Sequence, residues 1–188
     1  CKMRRIPFTE PMTKLPIPES YWVEEGRFLA GEYPGGYDPK SARRRMDRFL
    51  EAGINTFIDL TQSDELAAYD PVLNERTRIY DIPTAYHRFA IRDQSIPSRE
   101  TMITILNTID EAIRNDKCVY VHCWGGVGRT GITVGCYLIR HGLTPQQALT
   151  RVDSLFKTRP PSYHITSPET IEQFEFVRGW REIPTLHY

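Results

Sequence analysis

Lys117-Cys118-Val119-Tyr120-Val121 runs as a strand straight into His122-Cys123-Trp124-Gly125-Gly126-Val127-Gly128-Arg129-Thr130-Gly131, and Ile132 to Arg140 has the residues of a buried helix. A strand that enters a helix through a Gly-rich turn commits the chain to α/β packing, with the turn at a strand's C-terminal end, where open sheets place ligands. The backbone N–H groups of such a loop and of a helix N-terminus converge on one spot, which attracts an anion and favours thiolate over thiol. Cys123 sits at that spot. Arg129, with five residues between it and the cysteine, closes the ring with a planar fork of donors matched to phosphate oxygens. The loop thus offers a nucleophile and an anion cradle together.

The rest of the chain narrows the setting. With 188 residues, of which 40% are hydrophobic and 26% charged, a single domain can bury an adequate core without staples. Twenty-four basic residues balance twenty-four acidic ones, so no global field recruits nucleic acid or an anionic membrane, and anion selectivity must be local. The four cysteines, at 1, 118, 123 and 136, show no zinc-like pairing and are too few for a disulfide framework. Cys118 and Cys123 lie roughly 16 Å apart in an extended segment at ~3.3 Å per residue, too far for a local disulfide. We expect a reducing, cytoplasmic setting. The longest apolar stretch, Gly131 to Ile139, is far short of a membrane span, and no signal peptide opens the chain. The chain begins at Cys1 rather than methionine, which we read as a trimmed start that leaves the compartment provisional.

Pro7, Pro11, Pro16 and Pro18 make residues 1–26 an extended lead-in, with the main domain at 27–188. Arg27 to Gly31 suits a first strand closed by Pro34-Gly35-Gly36. Pro39 to Ala52 reads as a helix with Ala42, Met46, Phe49 and Leu50 inward and Gly53 ending it, followed by a strand from Ile54 to Leu60. Tyr86 to Ile91 reads as a strand. Ser98 caps a helix to about Asn115, with Met102, Ile105, Leu106, Ile109 and Ile113 on its inner face. Beyond the loop the pattern is helical, with Thr144-Pro145-Gln146-Gln147 and Ser167-Pro168-Glu169-Thr170 as caps carrying proline in the first turn. The expected fold is α/β, a mixed central sheet flanked by helices, with the phosphate-binding loop between a strand and a helix.

Two other glycine motifs overlap the loop. Gly126 to Gly131 matches Gly-x-Gly-x-x-Gly, but a dinucleotide site needs an acidic residue at the end of the next strand, and Asp153 sits in a helical pattern instead. The same glycines fit a nucleoside-triphosphate loop, yet Ile132-Thr133 stands where Lys and Ser/Thr are required. His122-Cys123-x5-Arg129-Thr130-Gly131 resembles the signature of the cysteine-dependent protein tyrosine phosphatases, most closely the compact dual-specificity branch. The signature covers ten residues, and the order of elements from about Arg27 to Val177 follows the same family. Cys136, amid Val134, Tyr137 and Leu138, reads as a buried structural cysteine.

The resemblance implies a two-step phosphoryl transfer needing no metal or organic cofactor. Cys123 is then the nucleophile, and Arg129 with the loop residues Trp124, Gly125, Gly126, Val127 and Gly128 binds the phosphate. Asp93, on a loop between strand and helix, is the general acid, because a phenolate of pKa ~10 leaves poorly unprotonated. Asp81 is the reserve candidate and Asp59 a strand-end residue of structural character. His122 points away from its neighbour on the strand and orders the loop through hydrogen bonds. Thr130 sets a hydroxyl near the sulfur, and Gln173 resembles the glutamine that positions the attacking water in larger members.

Trp124 and Val127, expected at the pocket rim, are neutral where phosphoinositide-directed relatives often carry cations, which favours a phosphorylated protein as partner. A phosphoinositide or inositol phosphate phosphatase, or a phosphate-binding module without turnover, is the alternative. Arg43-Arg44-Arg45 and Arg48 read as a solvated helix face. Oligomeric state is not encoded in any motif.

Overall fold

Strand β5 (Cys118–His122) is the axis of the fold, and all five of its residues are buried. It lies at the centre of a five-stranded sheet ordered β1-β2-β5-β3-β4 in the computed structural model, which describes residues 14–161 and 166–182. On one side β5 pairs in parallel with β2 (Phe28–Gly31), and on the other with β3 (Ile54–Asp59), so that His122 lies level with Gly31 and Asp59. A strand covered on both faces reads as a continuous run rather than an alternating one. β4 (Ala85–Arg88) extends the parallel order beyond β3, and β1 (Ser20–Glu24) closes the opposite edge antiparallel to β2, which makes the sheet mixed.

Helices cover both faces, and strand alternation sorts the apolar residues between them. Val119, Val121, Ile58, Phe28 and Ala30 point to the larger core, built with α3 (Arg99–Arg114), α4 (Gly128–Arg140) and α5 (Pro145–Phe156). Cys118, Tyr120, Phe57 and Leu29 point to a second core under α1 (Pro39–Glu51) and α2 (Asp70–Tyr80). α4 packs between α3, α5 and α6 (Ile171–Arg178), and its residues from Gly128 to Tyr137 are buried. Cys136 is among them. The expected inner face of α3 is the buried one, and Ser98 caps it by accepting from the Thr101 N–H.

Two local expectations need correcting, and α2 adds a helix that no apolar period in the sequence marks. Ser20–Glu24 is not lead-in but an edge strand, with Tyr21 and Val23 buried at a period of two. The lead-in over residues 1–13 lies outside the described residues, as do 162–165 and 183–188 of the expected main domain. Helix α2 shows no amphipathic period because its only buried residue is Leu73; ion pairs Arg43–Glu75 and Arg76–Asp47 fasten it to α1. Ser167 does not cap α6. Thr170 does, in a capping box with Gln173, since Thr170 alone of the two has Gln three positions on. Thr144 and Gln147 form the expected box on α5. Arg43 and Arg45 of the basic helix face are ion-paired, to Glu75 and Glu32, while Arg44 and Arg48 are exposed.

Among the described residues no helix is long and apolar enough to cross a membrane. A cavity of about 800 Å³ opens near Tyr137 and His141, by the β1–β2 turn. That is the end of the sheet away from β5's C-terminus.

Phe49 is fully buried between α1 and the sheet, with Tyr120 and Phe57 rings 4.5 and 6.0 Å away. Phe49→Ala is expected to lower the unfolding free energy by about 3–5 kcal/mol in urea titration. The circular dichroism of the folded state should not change.

Candidate active site

The turn from β5 into α4 is shaped by what holds its carbonyl groups. Five consecutive carbonyl oxygens each accept a hydrogen bond from the surrounding protein. The Cys123 carbonyl lies 3.1 Å from His122 Nδ1, and that of Trp124 accepts from the Tyr33 N–H at 2.8 Å. Arg159 donates through one nitrogen to the carbonyls of Gly125 and Gly126, at 3.1 and 3.2 Å. The Val127 carbonyl accepts from the Ser167 hydroxyl at 2.7 Å and from the Gly131 N–H. In a trans peptide the N–H lies opposite the C=O. Tying these carbonyls outward therefore turns the N–H groups of residues 124–128 inward. Gly126 permits the tightest bend: its φ is +68°, and a Cβ there would stand 2.3 Å from the Gly31 carbonyl carbon.

His122 is buried, and burial pushes its pKa below the ordinary imidazole value, against the pull of the Asp59 carboxylate 4.0 Å away. The neutral ring has one donor and one acceptor. A carbonyl can only accept, so Nδ1 carries the hydrogen toward Cys123, and Nε2 accepts from the Tyr69 hydroxyl at 2.8 Å. Burial holds that hydroxyl protonated, well above the ordinary tyrosine range. Tyr69 thus fixes the tautomer, and the tautomer fixes the loop.

Arg129, 1% exposed, begins α4 with its guanidinium held from several sides. Glu65 accepts from both terminal nitrogens, at 2.7 and 2.5 Å, and the Ile91 carbonyl accepts from Nη1 at 3.0 Å. Asp93 accepts from Nη2 at 2.8 Å. The two carboxylates differ in standing. Glu65 has a side chain 13% exposed in a bidentate pair, whereas Asp93 is 51% exposed and bound through one oxygen. A buried fork is a lasting partner, and an exposed single contact is readily exchanged. Although burial alone would raise it, the Glu65 carboxyl is held below the usual carboxylate range by the hydrogen bonds from Arg129 and the Gln62 N–H.

These groups surround a cavity of about 300 Å³ lined by Cys123, Trp124, Gly125, Val127, Gly128 and Arg129, with Asp93, Gln94 and Glu169. The Thr130 hydroxyl lies 3.2 Å from Cys123 Sγ, placed to donate to it. Trp124 is 58% exposed and stands at the rim. Val127 does not. It touches the cavity, but its side chain is buried in the larger core, because α4 starts one residue later and turns it inward. Gln173 is buried behind Gly128; its Oε1 accepts from the N–H groups of Glu169 and Thr170 and its Nε2 donates to the Ser95 carbonyl. It fastens the Asp93 loop to the start of α6 and does not line the cavity. Asp81 ends α2 in the left-handed region next to the start of β4, at the wrong end of the sheet for the site. Asp59 is buried and accepts from Thr61, Tyr86 and Arg88, a structural knot.

Glu65, Tyr69 and Arg159 carry no local sequence pattern that ties them to the loop, and Ser167, read from the sequence as a helix cap, instead donates to the Val127 carbonyl; each comes from a segment remote from the loop.

Glu65→Ala leaves a buried cation without its main partner and is expected to cost about 3 kcal/mol at neutral pH. Because the folded-state pKa of Glu65 lies below the ordinary value of about 4.3, its contribution is complete above that value and is lost as acid carries the pH down through the folded value. The stability gap between wild type and Glu65→Gln, followed by urea unfolding, should therefore shrink from pH 6 to pH 3. A gap that stayed constant or widened would contradict this pairing.

Comparison with known proteins agrees with the geometry. A family model described as "Tc-R-P: Polymorphic toxin system, DSP-PTPase phosphatase" matches residues 35–143, more than half of the chain. Cyclin-dependent kinase inhibitor 3 of Rattus norvegicus is 27% identical over 173 residues, 86% of this chain and 77% of that protein. Protein tyrosine phosphatase domain-containing protein 1 of Mus musculus is 29% identical over 103 residues, 51% of this chain; the match spans only 14% of that relative's length. The crystal structure of Tk-PTP in the active form superposes with a TM-score of 0.66 at 27% identity, covering 84% of this chain and 92% of that one. With the strand, loop and helix in this arrangement, the chain belongs to the cysteine-dependent protein tyrosine phosphatase superfamily, on its dual-specificity-like side.

Proposed function

We propose that this chain hydrolyses phosphotyrosine in proteins through a cysteinyl-phosphate intermediate. The observation that carries the reading is the Thr130 hydroxyl within reach of Cys123 Sγ, in a loop whose N–H groups and Arg129 converge on the same cavity. A structural cysteine has no use for a donor at its sulfur; a sulfur that must leave as thiolate does.

In the first step Cys123 Sγ attacks phosphorus, the bond from phosphorus to the ester oxygen breaks, and Asp93 gives its proton to the departing oxygen. The substrate's phosphate replaces Asp93 on Arg129 Nη2 and frees that carboxyl for the leaving group. In the second step the Asp93 carboxylate takes a proton from water, the water oxygen attacks phosphorus, and the S–P bond breaks with Thr130 donating to the returning thiolate. Loop N–H groups and Arg129 hold the equatorial oxygens throughout. Glu65 aims Arg129, and His122, Tyr69, Arg159 and Ser167 hold the loop carbonyls away from the phosphate.

The substrate class rests on the rim. Trp124 offers an exposed indole against which an aryl phosphate can pack. Apart from Arg129, residues 123–130 contain no cation to meet the additional phosphates of an inositol headgroup.

Hydrolysis of a phosphotyrosine peptide, a phosphoserine peptide and phosphoinositide vesicles tests this directly, with the phosphotyrosine peptide expected to lead. Cys123→Ser should lower turnover roughly 10⁴-fold or more while still binding phosphate. Asp93→Ala should slow phenyl phosphate about 10²-fold or more and p-nitrophenyl phosphate far less. Equal loss on both esters would remove Asp93 from the role of acid, and vesicles outrunning peptides would overturn the substrate class.

A further inference from the structure

Trp124 lines the phosphate cavity and also a second cavity of about 290 Å³, so the two share a wall. The second cavity forms where the loop after β2 meets the loop after β3. It is built around Tyr33, whose hydroxyl donates to the Ala67 carbonyl at 2.5 Å and whose N–H donates to the Trp124 carbonyl. Gly35 leaves room for that ring, since a Cβ there would stand 2.1 Å from the Tyr33 hydroxyl oxygen. Leu66 and Ala67 line one side, and the fully exposed Tyr37 lines the cavity together with the exposed Trp124.

The electrostatics select the occupant. The one cationic residue of the lining, Arg45, is paired with Glu32 at 3.0 Å and also donates to the Tyr33 carbonyl. A second phosphate entering here would meet a carboxylate and no unpaired cation. Three aromatic side chains, Tyr33, Tyr37 and Trp124, with Leu66 and Ala67 around a closed ion pair suit an apolar group instead. Sharing the Trp124 wall puts the cavity within one or two residues of a bound phosphotyrosine at ~3.3–3.6 Å per residue.

We propose that this cavity is a specificity subsite that takes an apolar side chain flanking the phosphorylated residue of the substrate protein. The proposal rests on the phosphoprotein reading above, and its test separates the two. Fluorescence anisotropy on the Cys123→Ser variant would compare phosphotyrosine peptides carrying Leu or Ser at each of two positions on either side of the phosphotyrosine. Burial of one leucine side chain predicts a gain of roughly tenfold or more in affinity at one of those positions. Ala67→Trp fills the cavity from an exposed position and should abolish that gain while leaving affinity for the Ser peptide unchanged. Tyr37→Ala, at a fully exposed residue, should reduce the gain severalfold. In the background that retains Cys123, both variants should hydrolyse p-nitrophenyl phosphate as wild type does. A leucine gain in binding without peptide hydrolysis upholds the subsite and overturns the catalytic reading. Hydrolysis without a leucine preference, or a preference that survives Ala67→Trp, overturns the subsite. Failure of every phosphopeptide to bind overturns both.

Discussion

Five loop carbonyls that all point outward are the constraint on which this site depends. A short turn between a buried strand and a buried helix has peptide groups that must find partners, and orienting them one way decides the chemistry of the other side. Here the outward side is satisfied by an imidazole, a backbone N–H, a guanidinium and a hydroxyl drawn from four separate segments. The inward side is left with donors alone. Of the two guanidiniums near the loop, Arg159 is spent on its outward carbonyls, and Arg129 lines the cavity on the donor side.

Management of that cation is the second layer. A guanidinium buried at a helix start would be expensive if unpaired, and Glu65 compensates it with a fork that also fixes its plane. Asp93 shares the same nitrogen from the exposed side of the cavity. One carboxylate is thus built into the scaffold while the other is held at the open side by a single contact, and the two differ in burial, not in chemistry. Gln173 and Ser95 connect the exchangeable carboxylate's loop to α6, so the second half of the chain steadies what the middle contributes.

What was legible in the sequence was local. β5, its loop and α4 could be read because strand, glycines, cysteine and arginine lie in one continuous stretch. α3 could be read because five apolar residues repeat at helical spacing behind a serine cap. The failures share a cause as well. α2 shows one buried residue, β1 is five residues long behind a proline-rich start, and Val127 needed the direction of the first helical turn to be placed. Glu65, Tyr69 and Arg159 reach the loop only through the fold and carry no local mark, Ser167 is marked only as a cap, and of the residues that hold the loop His122 alone is legible in that role, because it adjoins the cysteine in sequence.

The most direct test of the central claim is to trap the covalent intermediate. Quenching in denaturant at alkaline pH within milliseconds of mixing the protein with a ³²P-labelled phosphotyrosine peptide, followed by peptide mapping at that pH, should place the label on Cys123 as S-phosphocysteine. Label accumulating on another residue, or product appearing with no labelled protein at any time before steady state, would contradict the account.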